Sequence, residues 1–287
     1  MLRYLPLAAL YDGEQYLLER YRLVIFTPAS HTRLKDLPRP QWTGLGVGVS
    51  KEHEYFAALP AVPDELRSII RDPTQPEGQG VLPGTIQLDE AFTAPALRAA
   101  LRQDYPVVHI ASHFQFHPGD ETASFLLLGD GSHLTLAQLK TWPQPFQGVD
   151  LLTLSACNSA LGGAAAEGTE VEGFAVLAQR QGAKAVVATL WAVADSSTKT
   201  LMQTFYRQRE TQPGLPKVEA LRQAQLALLR GTGQTVAAAT TVPRGIDLIH
   251  AGSRDTSGAL LRFTPDPQAP YAHPFYWAPF LLIGNWR

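Results

Sequence analysis

The stretch that decides the fold is VDLLTLSACNSALGGAAAEG, residues 149–168. It opens on Val149–Leu154, a short and largely aliphatic stretch, and then breaks into Ser, Asn and glycines. A largely apolar run of this length reads as a strand covered on both faces, the habit of parallel sheets. A strand that empties into a small, Gly-rich loop is where α/β sheets place their sites, at the carboxyl edge. Cys157 falls just past that strand and is the only cysteine in the chain. One reading makes it a small buried residue, since free cysteine packs as a small hydrophobe. The other makes it a nucleophile, because neighbours with so little side chain let a substrate come close.

The same pattern recurs on either side. Arg22–Phe26, Thr43–Val49, Val107–Ala111, Phe125–Leu128, Ala185–Leu190 and Phe280–Ile283 also read as strands. Helical periodicity predicts Pro63–Arg71, Ala94–Gln103, Thr169–Gln181, Ser197–Gln208 and Lys217–Leu229 between them. Strand alternating with helix argues for a mostly parallel sheet flanked by helices on both faces. Pro73–Pro83 and residues 231–270 read as irregular, and the aromatic end HPFYWAPFLLIGNWR returns to the core as a strand. GLGVGVS (44–50) lacks the full spacing of a phosphate-binding loop and reads as a strand of small residues.

A nucleophilic cysteine needs a base, and DYPVVHIASHFQFHPGDE (104–121) offers one. His113 follows the strand Val107–Ala111. If that strand runs parallel to and near Val149–Leu154, His113 and Cys157 share one sheet edge and the imidazole can take the thiol proton. His109 lies within the strand as a packing residue, and His117 lies in the loop beyond. The spacing of four among the three would align them for zinc on a helix. Pro106 followed by Val-Val-His-Ile favours strand instead, so no metal or other cofactor is expected. A second carboxyl-edge candidate is Asp195 in GAKAVVATLWAVADSSTKTLMQTFY (182–206). It reads equally as a helix cap and as a carboxylate for a basic substrate side chain.

Composition limits the rest. With 24 basic and 26 acidic residues there is no broad basic surface, which argues against nonspecific nucleic-acid binding. One cysteine cannot form an intramolecular disulfide, so a cytoplasmic location is expected. No apolar run is long enough to span a membrane. The 287 residues fit two units of ordinary size or one large α/β domain.

Taken in order, HIASHFQF, SFLLLGDGSHLTLAQL, LLTLSACNSALGG, GTEVEGFAVLAQRQGAKAVVATLWAVADSSTKTLMQTFY and PFYWAPFLLIGNWR resemble a CHAT domain, a caspase-like cysteine protease domain. The resemblance extends from LRYLPLAALYDG to the last residue. It implies a caspase/separase-like α/β fold and one domain over 1–287, with 1–84 a degenerate front portion and 85–287 the catalytic portion. It implies a dyad of His113 and Cys157, separated by one strand and helix, and an oxyanion site made by the backbone N–H groups of Phe114 and Cys157. Phe114 stands where the family commonly has glycine, so a bulky ring is expected to narrow the cleft. LWAVAD is similar to the LWDVTD of separases, which would make Asp195 the S1 carboxylate for Arg or Lys. The resemblance also implies a protein substrate and a tetratricopeptide-repeat or sensor region, in this chain or another. Met1 leading straight into LRYLPLAALYDG fits a fragment or a short standalone form.

The expected activity is therefore a cysteine endopeptidase cleaving a protein after a basic residue. The rivals are an inactive caspase-like scaffold and a thioester hydrolase or acyl transferase.

Overall fold

A computed structural model describes residues 5–74, 79–117, 119–155, 169–191, 193, 195–232 and 266–287. Its short first helix is Leu17–Arg20 (α1), and the strand Gly44–Gly48 (β1) leads into Val62–Ile69 (α2). The paired strands Ile70–Arg71 (β2) and Leu82–Leu88 (β3) precede Ala94–Ala100 (α3) and Val107–Ala111 (β4). Then come Phe114–Gln115 (β5), Phe125–Leu127 (β6), His133–Thr135 (β7) and Leu136–Lys140 (α4). Leu151–Leu154 (β8), Thr169–Arg180 (α5), Ala185–Thr189 (β9), Asp195–Thr211 (α6), Lys217–Arg230 (α7) and Phe280–Gly284 (β10) complete the described α-helices and strands, with short 3-10 turns between some of them.

Seven strands form one sheet in the order β10-β9-β8-β4-β1-β3-β2. All pairs are parallel except β10 against β9, so the aromatic carboxy-terminal segment does return as a strand, at one margin of the sheet. Side chains alternate across it as the pleat requires. Val108, Ile110, Leu152, Leu154, Val186 and Ala188 face one layer with α3, α4 and α5. Val107, Ala111, Leu151, Ala185 and Val187 face the other with α2, α6 and α7. Fully burying such an aliphatic side chain contributes about 1.5–3 kcal/mol, which is why these runs become central strands.

Within the segment 44–50, Gly44–Gly48 forms the strand expected there, and its small residues have a packing reason. A Cβ on Gly48 would come within 2.6 Å of Val62 Cγ1 and 2.8 Å of the Ala111 carbonyl oxygen. The helix α2 can lie so close to β1 only because that atom is missing.

Three expectations are corrected. Leu82–Leu88 is a strand beside β1, although LPGTIQL starts within the stretch read as irregular. Pro83 is accommodated near the sheet margin, paired with Arg71 of the two-residue β2. Arg22–Phe26 is not a strand: only Ile25 makes a bridge, parallel to Ile283. Between His113 and Cys157 the chain carries more than one strand and a helix. It builds an antiparallel sheet, β5-β6-β7, together with α4 and β8. Most of the segment 231–270 lies outside the described residues.

Candidate active site

Strands β4 and β8 are direct neighbours, with Ile110 opposite Leu154. Ser155, the last described residue before Cys157, donates its N–H to the Ile110 carbonyl at 2.8 Å. Cys157 itself lies outside the described residues. On the other side of β4, β1 pairs with it in register, Gly48 opposite Ala111. The loop that leaves β1 thus rises from the same carboxyl edge as His113.

That loop holds the imidazole. His113 is 1 % exposed and its Nε2 lies 2.9 Å from the Ala57 carbonyl oxygen. Its ring packs against Phe56 with centroids 5.1 Å apart. A carbonyl only accepts, so the proton of a neutral imidazole must sit on Nε2. Nδ1 is then a bare lone pair, and it is buried with no hydrogen-bond partner among the described residues. Burial pushes the His113 pKa below its ordinary value, with a smaller push in the same direction from His53. The Ala57 carbonyl opposes this only in part.

Phe114 begins β5. Leu127 donates to the His113 carbonyl at 2.9 Å, and Phe114 faces Leu126 across the ladder. Bonded and unbonded pairs alternate along an antiparallel ladder. The Phe114–Leu126 pair is an unbonded one, so the Phe114 N–H points away from β6. The Phe114 ring does not narrow the cleft as expected. It is 2 % exposed and turned into the core, edge-on to Phe174 at 5.1 Å and stacked with Phe116 at 6.4 Å.

Asp195 is the first residue of α6, on the carboxyl side of β9. The backbone there is described and the Asp195 side chain is not. Around this helix start, Tyr271 donates to the Ser196 hydroxyl at 2.9 Å and the Trp191 indole N–H to the Phe275 carbonyl at 3.1 Å.

His109 and His117 separate from His113 completely. His109 points to the opposite face of the sheet, its Nε2 2.9 Å from Glu65 Oε1 and its Nδ1 3.2 Å from the Tyr206 hydroxyl. His117 Nε2 meets Gln115 Nε2 at 2.8 Å. Among the described residues no group of three His, Cys, Asp or Glu side chains is placed to hold a metal ion. Nor is any described helix long and apolar enough to cross a membrane. Sequence reading missed Ala57 altogether, because a backbone carbonyl carries no signature in the residue type.

A family model for the CHAT domain matches residues 1–285. The chain belongs to the CHAT domain family. The match spans both the loop that holds His113 and the strand that leads to Cys157. A CHAT domain is a caspase-like, peptidase-related domain, often associated with tetratricopeptide-repeat regions. The mostly parallel sheet with helices on both faces agrees with that assignment. No curated protein sequence matches the chain.

Proposed function

We propose that this CHAT domain is a cysteine endopeptidase in which His113 and Cys157 form the catalytic dyad. The observation that carries the reading is the buried Nδ1 of His113, without a partner among the described residues, at the edge where β8 leads towards Cys157. With Nε2 engaged by Ala57, Nδ1 is the nitrogen left to accept the thiol proton. Burial favours the neutral ring, the form a base needs.

In this reading the thiolate attacks the peptide carbonyl carbon, forming the S–C bond while the oxygen gains the negative charge. The N–H groups of Phe114 and Cys157 hold that oxygen; such a donor is worth about 2.7–4 kcal/mol in the transition state. His113 gives its proton to the departing amine as the C–N bond breaks. Water then cleaves the thioester, restoring the thiol and releasing the acid. Asp195 pairs with the Arg or Lys of the residue before the cut. Its support is the start of α6 at the carboxyl end of β9, the strand beside β8.

The whole of 1–287 acts as one domain. Its front portion, 1–84, contributes Ala57 to the His113 site, and 85–287 carries the dyad. The substrate is a protein, the regulator a tetratricopeptide-repeat or sensor region in the same or another chain, and the setting cytoplasmic.

A panel of fluorogenic peptides with Arg, Lys or apolar residues before the cut tests this on the full chain. Cleavage after Arg or Lys is expected, and its loss in Cys157→Ala. Cleavage that persists in Cys157→Ala would overturn the dyad.

A further inference from the structure

The loop that grips His113 is itself gripped, by a residue just past the end of another strand. Asp89 follows β3 directly and is 7 % exposed. Its Oδ1 accepts the Ser50 N–H at 2.6 Å and the Lys51 N–H at 3.3 Å, and its Oδ2 accepts the Ser50 hydroxyl at 2.8 Å. From that anchor the loop closes on itself. The Ser50 carbonyl accepts the Leu59 N–H at 2.9 Å, and His53 and Phe56 exchange backbone bonds at 3.0 and 2.8 Å. The next residue is Ala57, whose carbonyl meets His113 Nε2.

The backbone of the anchor is itself closely held. Asp89 sits at φ 50°, the left-handed region that side chains seldom occupy. It is kept there by Phe92, which donates to the Asp89 carbonyl at 2.7 Å, and by the backbone of Gly129. A Cβ on Gly129 would fall 1.6 Å from the Asp89 carbonyl oxygen, so only glycine allows this approach. Buried conformations of this kind persist only when the surroundings over-determine them, and they gather around functional sites.

We propose that Asp89 is a positioning residue for the His113 imidazole. By fixing Ser50 and Lys51 it fixes the Ala57 carbonyl, which places the ring proton on Nε2 and leaves Nδ1 bare. Asp89 touches no reacting atom and acts only through the loop 50–57. The proposal rests on the reading of His113 as the base, but its first readout does not.

The test uses the full chain with ¹⁵N-labelled histidine at neutral pH, and follows both the His113 ring nitrogens and the rate of Cys157 alkylation by iodoacetamide. The wild-type His113 ring should show the Nε2–H tautomer. In Asp89→Ala that signal should give way to a tautomer mixture, and alkylation should slow by up to about 10²-fold, the scale of a ~1 Å misplacement of a catalytic group. Asp89→Asn keeps an acceptor for the Ser50 N–H and should restore both. If Asp89→Ala does not fold, Ser50→Ala, which removes only the hydroxyl bond, should move the tautomer signal in the same direction by less. An unchanged tautomer in the folded variants overturns the proposal, as does Asp89→Asn behaving like Asp89→Ala. A tautomer switch together with alkylation that ignores His113→Ala supports the positioning role and overturns the dyad alone.

Discussion

His109 and His113 leave the same stretch of chain and meet opposite fates. His109 lies under the sheet with both ring nitrogens engaged, by Glu65 and Tyr206, and Tyr206 is tied onward to Thr153 at 2.7 Å. His113 lies above the carboxyl edge with one nitrogen engaged and one open among the described residues. Both are buried. A buried polar network with every partner supplied holds a core together. A buried nitrogen without a partner costs stability, and such a feature persists at a site of chemistry rather than of packing. The two histidines therefore separate a structural role from the catalytic one proposed for His113.

Substitutions can break that separation. The largest effect is expected from His113→Ala, which should lower peptide cleavage by about 10²–10⁴-fold, the usual worth of a positioned acid–base group. Steady-state kinetics on a basic-residue peptide check it; a variant within a few-fold of wild type would erase the distinction. His109→Phe should act the other way. It leaves the Glu65 carboxylate buried without a partner, a loss of about 3–5 kcal/mol seen in urea unfolding. Wherever this variant remains folded, Cys157 alkylation should stay at the wild-type rate. Tyr206→Phe removes one hydroxyl from the same network and should cost about 1–3 kcal/mol. A neutral result there would mean that the underside of β4 is held by packing alone.

The smallest effect is the response to pH. Burial lowers the pKa of His113, and also those of His133 and His273. The folded chain keeps these rings neutral while the unfolded chain takes up protons near the ordinary value of about 6.5. Below that value the unfolded state binds more protons, so stability rises with pH. It is fully present above about 6.5 and is lost as the pH falls towards the depressed folded values. Urea midpoints at mildly acidic and neutral pH should show this slope, and His113→Phe should flatten it.

The candidate base was legible because a strand-like Val107–Ala111 ends just before His113, and Val149–Leu154 ends just before Cys157. Hydrophobic runs announce buried strands through their own composition. The strand Leu82–Leu88 was not legible, because Pro83 and Gly84 disguise it and its side chains are only partly buried. Asp89 was hidden with it, since its role depends on lying beside the end of β1. The Phe114 ring shows the same limit from the other side. Its size was plain, but its direction, into the core against Phe174, was set by packing.

The sequence by itself determined the layered α/β architecture, through apolar runs that must be covered on both faces. Its ordered motifs determined the family, and its lone cysteine and the histidine after a strand determined the candidate dyad. Only the tertiary structure decided that β4 and β8 are neighbours, which face His109 takes, and which nitrogen of His113 is left open. The reason is that these depend on strand order and on backbone groups from distant loops. A carbonyl such as that of Ala57 is common to every residue type, so its chemistry becomes specific only through where the fold carries it.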